Sequence, residues 1–455
     1  MRRTFSTWVS WIFLALSILL LMFTYYRAGI IYQGTLNDHY FKYYLIVIGG
    51  VAFWVTVLQL KERIRINVIT VVIFSIVGLY MVEGGLVFLK SIQPNVRAVL
   101  ADKIGIEYDK RTRLEVIEDL IAEGVSAVPT VFPQALLKSI GSSEKDINAL
   151  FPLGGISNRT TVYGNESGKY LIYKSDRYGF NNPDNQWNSQ PIEWLLLGDS
   201  FAHGAQVQPG QEIAGQIRSI TGNRAINLGI RGNGPLVEYA TLVEYGKAVN
   251  ASKVLWIYFE GNDLVEDLER EKNNPLLMQY MKNGFSQSLL DRQKEIDIKL
   301  ERDIVVNQGL MNKTRWTRLY EVRRALESVD IDVDVDVDVD VDVDEDVDVH
   351  SPLFIKILTK AKTMVKSWGG ELYFVYLPEY ARYSNKAVLQ DSFRKKSKIV
   401  GLVKEVGIPI VDIHQEVFSK NDDPLSLFPF RLNGHYTAEG YKKVAEAVVS
   451  KIKKI

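Results

Sequence analysis

Four short segments carry residue types suited to acyl transfer. Gly198-Asp199-Ser200-Phe201 follows an apolar run, and "NLGIRGNGP" spans Asn227 to Pro235. "YFEGNDL" holds Gly261-Asn262-Asp263, and "NGHYTAEGY" holds His435 just before the last amphipathic stretch. Serine-based ester chemistry needs a nucleophile, a base within hydrogen-bond reach and donors for the oxyanion. Ser200 suits the first role and His435 the second. The backbone N–H groups of Ser200 and Gly232 and the Asn262 carboxamide suit the third. Glycine favours an oxyanion contact because no side chain blocks the oxygen. Each segment alone reads as an ordinary turn. Together, each after a strand except the last, they can converge on one sheet edge.

The elements that must position them alternate. Strand candidates are Ile192–Leu197, Arg224–Leu228, Lys253–Phe259, Glu371–Leu377 and Ile408–Ile413, with helical stretches between. Such alternation predicts βαβ units and a parallel sheet covered on both faces. Right-handed crossovers make a doubly wound α/β sandwich, whose sites form at the carboxyl ends of the strands. The last helix starts at a Thr437 cap and is apolar on one face, which suits it to hold the His435 loop.

At these residues the chain resembles the GDSL/SGNH hydrolase superfamily, in particular its membrane-tethered bacterial envelope members. The superfamily's four named residues fall on Ser200, Gly232, Asn262 and His435, and the match covers roughly residues 190–455 apart from one insert. "SDRYGFNN", upstream, is similar to what precedes the domain in envelope members. The resemblance implies a flavodoxin-like α/β/α sandwich and a serine esterase or O-acyltransferase. The implied substrates are O-acyl, commonly acetyl, esters of envelope glycans. It implies no metal and no organic cofactor. The implied partners are an acylated carbohydrate or lipid-linked saccharide and membrane lipid; no nucleic acid is expected.

One position departs from the family pattern. An Asp usually precedes the histidine by two or three residues, where this chain has Asn433 and Leu432. Three readings stay open. A backbone carbonyl or the Asn433 side chain orients His435 in a Ser–His dyad. Alternatively, Asp422 or Asp423 swings in. Or the protein is catalytically impaired and serves as a glycan-binding or assembly protein.

Further candidates surround the motifs. His203, three residues past Ser200, is expected at the pocket rim. Glu260 stands where relatives often have Gly, so it can contact a sugar hydroxyl or be hydrogen-bonded structurally. Tyr380 and Arg382, after the fourth strand, can face substrate or solvent. Asp199 reads as a structural acceptor at the turn, and His414 as a satisfied structural histidine.

The first ninety residues read as membrane. Trp8–Tyr26 and Tyr43–Leu60 are uncharged, and Ile66–Leu89 is interrupted only by Asn67 and Glu83. A span needs about 20 mostly apolar residues. Arg2, Arg3, Lys61, Arg63 and Arg65 place the N-terminus and the second short loop in the cytoplasm by the positive-inside rule. Three spans then put the rest outside, with Glu83 near the outer interface. The expected location is a bacterial inner membrane with the hydrolase domain periplasmic or otherwise extracytoplasmic.

The expected organisation is 1–90 transmembrane, 91–190 a helical and then β-rich connector, and 191–455 the hydrolase-like domain. "RTRLEVIEDLIAEG" in the connector has helix-face spacing, with Gly124 as its stop. The formal net charge of zero conceals an imbalance. Residues 330–348 hold ten Asp and one Glu; without them 43 acids face 54 basic residues. The remainder is mildly basic, which suits an anionic surface or an acidic polymer. The Asp-Val insert, 329–349, would stack like charges on one face of a strand, so it reads as a low-complexity surface loop. There are no cysteines, which excludes disulfides and thiolate metal sites.

Overall fold

A computed structural model describes residues 5–31, 37–92, 95–133, 150–188, 191–314, 319, 322, 343–384 and 389–454. Residues 1–93, 141–147 and 308–339 form one unit; residues 94–140, 148–307 and 340–455 form a second. The first unit contains α1 (Phe5–Tyr25), α2 (Asn37–Gln59) and α3 (Glu62–Ile92). Three stretches, Phe5–Ile30, Tyr40–Gln59 and Glu62–Leu89, are long and apolar enough to cross a membrane. Leu14, Trp54, Val57 and Ile69 form their shared interior, with Phe13 stacked on Trp54 at 4.6 Å. Large side chains such as Ile46 and Phe74 point outward, as lipid-facing residues do. Glu83 departs from the expected water-facing position. It is buried and accepts a 2.9 Å hydrogen bond from the Val322 N–H.

The second unit opens with α4 (Val96–Lys103) and α5 (Arg113–Ala122), followed by strands β1 (Ala127–Pro129), β2 (Thr160–Val162) and β3 (Ile172–Lys174). Thr112 and Glu115 form a reciprocal capping box at the start of α5. The three strands make a small sheet in the order β1-β2-β3, parallel and then antiparallel. The main sheet has strands β4 (Trp194–Leu197), β5 (Ala225–Asn227), β6 (Lys253–Phe259), β7 (Glu371–Leu377) and β8 (Ile410–Asp412). Its order is β5-β4-β6-β7-β8, all parallel. Counted from β4 this is 2-1-3-4-5, the flavodoxin-like doubly wound order.

Alternation along the strands sends residues to two apolar layers. Leu195, Leu197, Trp256, Tyr258 and Phe374 pack on one face with the helices Val343–Ser367 and Leu389–Val406. Trp194, Leu196, Leu255, Ile257 and Val375 pack on the other with the helices Ile213–Thr221 and Ala438–Ile452. Continuous apolar strands are what a sheet buried on both faces requires. The strand order reverses beside β4, so the loops after β4, β5 and β6 meet at the switch point.

The tail of the Asp-Val insert departs from the loop expectation. Residues 343–349 open the helix Val343–Ser367, and Val347 is fully buried in the first layer. Val349 stays 60 % exposed, so the helix holds a single described valine of the repeat against the core. The rest of the insert, 329–342, lies outside the described residues.

Phe374 sits at the centre of the sheet, fully buried, against Tyr258 and Phe354. Phe374→Ala is expected to cost about 3–5 kcal/mol, read by denaturation of the full-length protein followed by tryptophan fluorescence. A loss below about 1 kcal/mol would contradict this core assignment.

Candidate active site

β4 ends in a turn that glycine alone accommodates. Gly198 has φ +151°, and an added Cβ would lie 2.7 Å from the Ala202 Cβ and 2.9 Å from the Ile257 carbonyl. The Asp199 carboxylate accepts from the Phe201 N–H at 2.8 Å and caps the short helix Ser200–His203. Ser200 is thereby held at the carboxyl end of the sheet. Its Oγ lies 2.9 Å from His435 Nε2 and 3.2 Å from Asp199 Oδ2.

His435 is positioned from both sides. Thr437 caps the following helix by accepting from the Gly440 N–H at 3.1 Å. Tyr436 is buried among Phe201, Phe418 and Phe428 and donates its hydroxyl to the Pro378 carbonyl at 2.5 Å. Upstream, Phe430 and Arg431 both have positive φ, at 55° and 58°. The Arg431 guanidinium pairs with Asp423 at 2.6 Å, and its carbonyl accepts from the Tyr380 hydroxyl at 3.1 Å.

The carboxylate that orients His435 comes from none of the expected places. Glu166 lies 269 residues earlier, in the loop between β2 and β3. Its two oxygens are each 3.1 Å from His435 Nδ1, and Oε2 also accepts from the His435 backbone N–H at 2.9 Å. Asn433 contributes its carbonyl to Arg97, which donates from Nη2 at 2.6 Å. Asp423 is engaged with Arg431. The Glu166 loop is itself fixed. Asn165 bonds the Asp109 carbonyl at 2.9 Å and the Gly168 N–H at 2.8 Å, and Ser167 bonds the Gln206 carbonyl at 2.9 Å. Gly434 leaves room for this meeting: a Cβ there would lie 2.6 Å from Glu166 Oε2 and 2.9 Å from Arg97 Nη2.

Burial raises the Glu166 carboxyl, but hydrogen bonds to His435, its charge and that of Arg97 outweigh burial and hold it below its ordinary range. Glu166 is therefore an anion at neutral pH. With Nδ1–H donated to it, Nε2 is the free lone pair that faces the Ser200 hydroxyl.

The oxyanion candidates lie on adjoining loops. The Ile230 N–H bonds the Gly198 carbonyl at 3.2 Å, so the segment bearing Gly232 rests on the serine turn. Phe259, at the end of β6, stacks on Phe201 at 4.1 Å, and Asn262 follows three residues on. The Asn262 carboxamide donates one N–H to Asp267 and keeps a second.

Three expected substrate contacts are corrected. Glu260 is 2 % exposed and spends its carboxylate inside, on Arg382 Nε at 2.8 Å, the Glu379 N–H at 2.9 Å and the Tyr376 hydroxyl. Arg382 is buried with it, so neither charge faces substrate. His203 is at 1 % exposure behind the serine turn, not at a rim. Its Nδ1 meets the Gly229 carbonyl at 3.1 Å, its ring packs on Tyr163 and Tyr173, and burial lowers it to about 4, a neutral ring. His414 meets the Tyr383 hydroxyl at 2.8 Å and is likewise lowered to about 4, burial first. Among the described residues no group of His, Asp and Glu is arranged to hold a metal.

No protein-family model and no curated protein matches the sequence. Solved structures do match. A putative lipolytic protein of the G-D-S-L family from Desulfitobacterium hafniense shares 11 % identity, over 57 % of this chain and 99 % of its own, at a TM-score of 0.33. A lipase/acylhydrolase from Enterococcus faecalis shares 12 %, over 58 % and 96 %, at 0.33. A catalytic mutant of an acetylxylan esterase from Geobacillus stearothermophilus shares 13 %, over 58 % and 95 %, at 0.31. Likenesses this distant carry no argument about this chain. The resemblance to the GDSL/SGNH superfamily rests on the four motif residues and on the 2-1-3-4-5 sheet order seen in this chain.

Glu166→Gln keeps the shape of the side chain and removes its charge. Turnover of p-nitrophenyl acetate should fall by about 10³–10⁴-fold, as when a triad carboxylate becomes an amide. A variant with wild-type turnover would remove Glu166 from the site.

Proposed function

We propose that the chain is a membrane-anchored serine ester hydrolase or O-acyltransferase acting on O-acyl, chiefly acetyl, esters of envelope glycans. The hydrogen-bonded array Ser200–His435–Glu166 at the carboxyl ends of the strands carries this reading. Ser200 Oγ attacks the acyl carbonyl while His435 Nε2 takes its proton. The Ser200 and Gly232 N–H groups and the free Asn262 N–H receive the oxyanion. Collapse of the tetrahedral species breaks the ester bond, and His435 returns the proton to the departing sugar oxygen. Water or a second sugar hydroxyl then gives its proton to His435 and attacks the acyl-enzyme. Ser200 is regenerated, and the acid or the new ester leaves.

Glu166 stabilises the imidazolium in both halves and fixes the tautomer. It also removes the motive for an impaired, purely glycan-binding protein, which was the missing acid before His435. The envelope-glycan substrate is supported by the family resemblance, and the external location by the Lys and Arg asymmetry around three apolar helices.

A fluorophosphonate probe tests the nucleophile. Wild-type protein should label and Ser200→Ala should not, with labelling of His435→Ala slower by about 10²-fold or more. Equal labelling of wild type and Ser200→Ala would end the serine reading.

A further inference from the structure

Two buried acids lie beneath the oxyanion loops and play no part in proton transfer. Asp267 and Glu271 are each 1 % exposed and stand four residues apart. That spacing places both on one helical face. The segment bearing them leaves β6 as a π-turn, Asp263–Asp267, and continues as the helix Leu268–Lys272. The π-turn lets the Asn262 carbonyl accept from the Asp267 N–H at 3.0 Å, besides the Glu266 N–H at 3.1 Å. Asp267 is thus returned beneath Asn262, and its carboxylate takes an N–H of the Asn262 side chain. π-turns of this kind recur at functional sites.

Glu271 reaches the other arm. Its Oε1 accepts from the Gly234 N–H at 2.6 Å, and its Oε2 from those of Leu236 and Val237 at 2.9 and 3.2 Å. These are the first free N–H groups of the helix Pro235–Thr241, two residues past Gly232. Burial, joined by the nearby Asp267 charge, pushes the Glu271 carboxyl up to about 8 despite these bonds. Asp267 is also paired with Arg270 Nη1 at 3.1 Å, and Glu271 is satisfied by three backbone N–H groups, so both buried acids are held in fixed geometry.

We propose that Asp267 and Glu271 are positioning residues of the oxyanion site, each holding one of the two donor arms that lie outside the serine turn, Asn262 and the Gly232 segment. The inference rests on Ser200 being the nucleophile. Asp267 fixes the flip of the Asn262 carboxamide. An anion accepts only from the NH₂ side, so the second N–H, not the carbonyl oxygen, is left for the reacting centre. Glu271 clamps the helix start behind Gly232, so the Gly232 N–H keeps its direction. Geometry held this way costs no reorganisation when charge develops, which is the source of oxyanion stabilisation.

The test compares Asp267→Asn, Glu271→Gln, Asn262→Ala and the Asp267→Asn/Asn262→Ala double variant, with Ser200→Ala as control, all as full-length protein in detergent. The readouts are kcat and KM for p-nitrophenyl acetate, inhibition by phenylboronic acid as a tetrahedral mimic, and the melting temperature. Asp267→Asn and Glu271→Gln should lower kcat by about 10²–10³-fold and leave KM within about twofold. Boronate inhibition should weaken in parallel. In the Asn262→Ala background, Asp267→Asn should add less than about threefold, because it acts through Asn262. Full additivity, or wild-type kcat in both single variants, overturns the proposal. So does loss of folding in both, which makes the pair structural. Wild type that turns over no faster than Ser200→Ala overturns the nucleophile reading and this inference with it; the other failures leave that reading standing.

Discussion

The contact between Glu166 and His435 is the constraint around which the rest of the site is arranged. A carboxylate must reach Nδ1 of an imidazole whose Nε2 already faces the serine. The loop carrying the histidine has Asn433 where an acid would be close at hand. The carboxylate is therefore delivered by the small sheet that precedes the main one. That delivery explains several features at once. The Glu166 loop is anchored through Asn165 and Ser167. Arg97 of α4 bridges the Asn433 carbonyl and adds positive charge near Glu166. Tyr108, next to Asp109, donates its hydroxyl to the Asn165 carbonyl at 3.2 Å and tilts against Phe430.

 The upstream segment is thus part of the site's construction rather than a spacer.

Charge placement follows from the same economy of burial. An ionised carboxylate in a dry interior persists only with a cation or several N–H donors around it. Glu260 has both, in Arg382 and the Glu379 N–H, and this pair braces the segment after β7 against the end of β6. Glu238 and Asp263 lie fully buried close by, and burial raises both carboxyls well above the ordinary range. Glu166 goes the opposite way because hydrogen bonds from His435, its charge and that of Arg97 outweigh burial. The same side-chain chemistry therefore gives a paired brace, buried acids whose pKa burial raises, or a carboxylate held below its ordinary range, and the partners decide which.

Much of the sheet was legible in the sequence. The runs Lys253–Phe259 and Glu371–Leu377 are continuous, apolar and β-branched or aromatic, and they form β6 and β7 with those bounds. The edge strands came out shorter than their apolar runs: Arg224–Leu228 narrows to Ala225–Asn227 and Ile408–Ile413 to Ile410–Asp412. The inner run Ile192–Leu197 is trimmed likewise, to Trp194–Leu197, so apolar runs extend past the paired register at interior and edge positions alike. The meeting of Ser200 with His435 was legible because one sits at a strand end and the other at a helix cap. These are local signals, and local signals survive in a linear chain.

Glu166 had no such signal. "YGNESGKY" has the composition of an ordinary turn, and nothing within it distinguishes a catalytic acid from a solvated one. Its role arises only when a loop 269 residues away closes over it. The one clue in the chain was negative: a histidine in the right setting with no acid before it demands an acid from elsewhere. Glu260, Arg382 and His203 failed for the complementary reason. Proximity in sequence to a strand end places a residue at the site's edge of the sheet, but not on which side of the backbone its side chain falls. Glu260 and Arg382 found each other in the interior, and His203 turned toward Tyr163 and Tyr173. Motif offsets therefore fix where the backbone approaches the reacting centre, while the partners of charged side chains are settled by packing between distant segments.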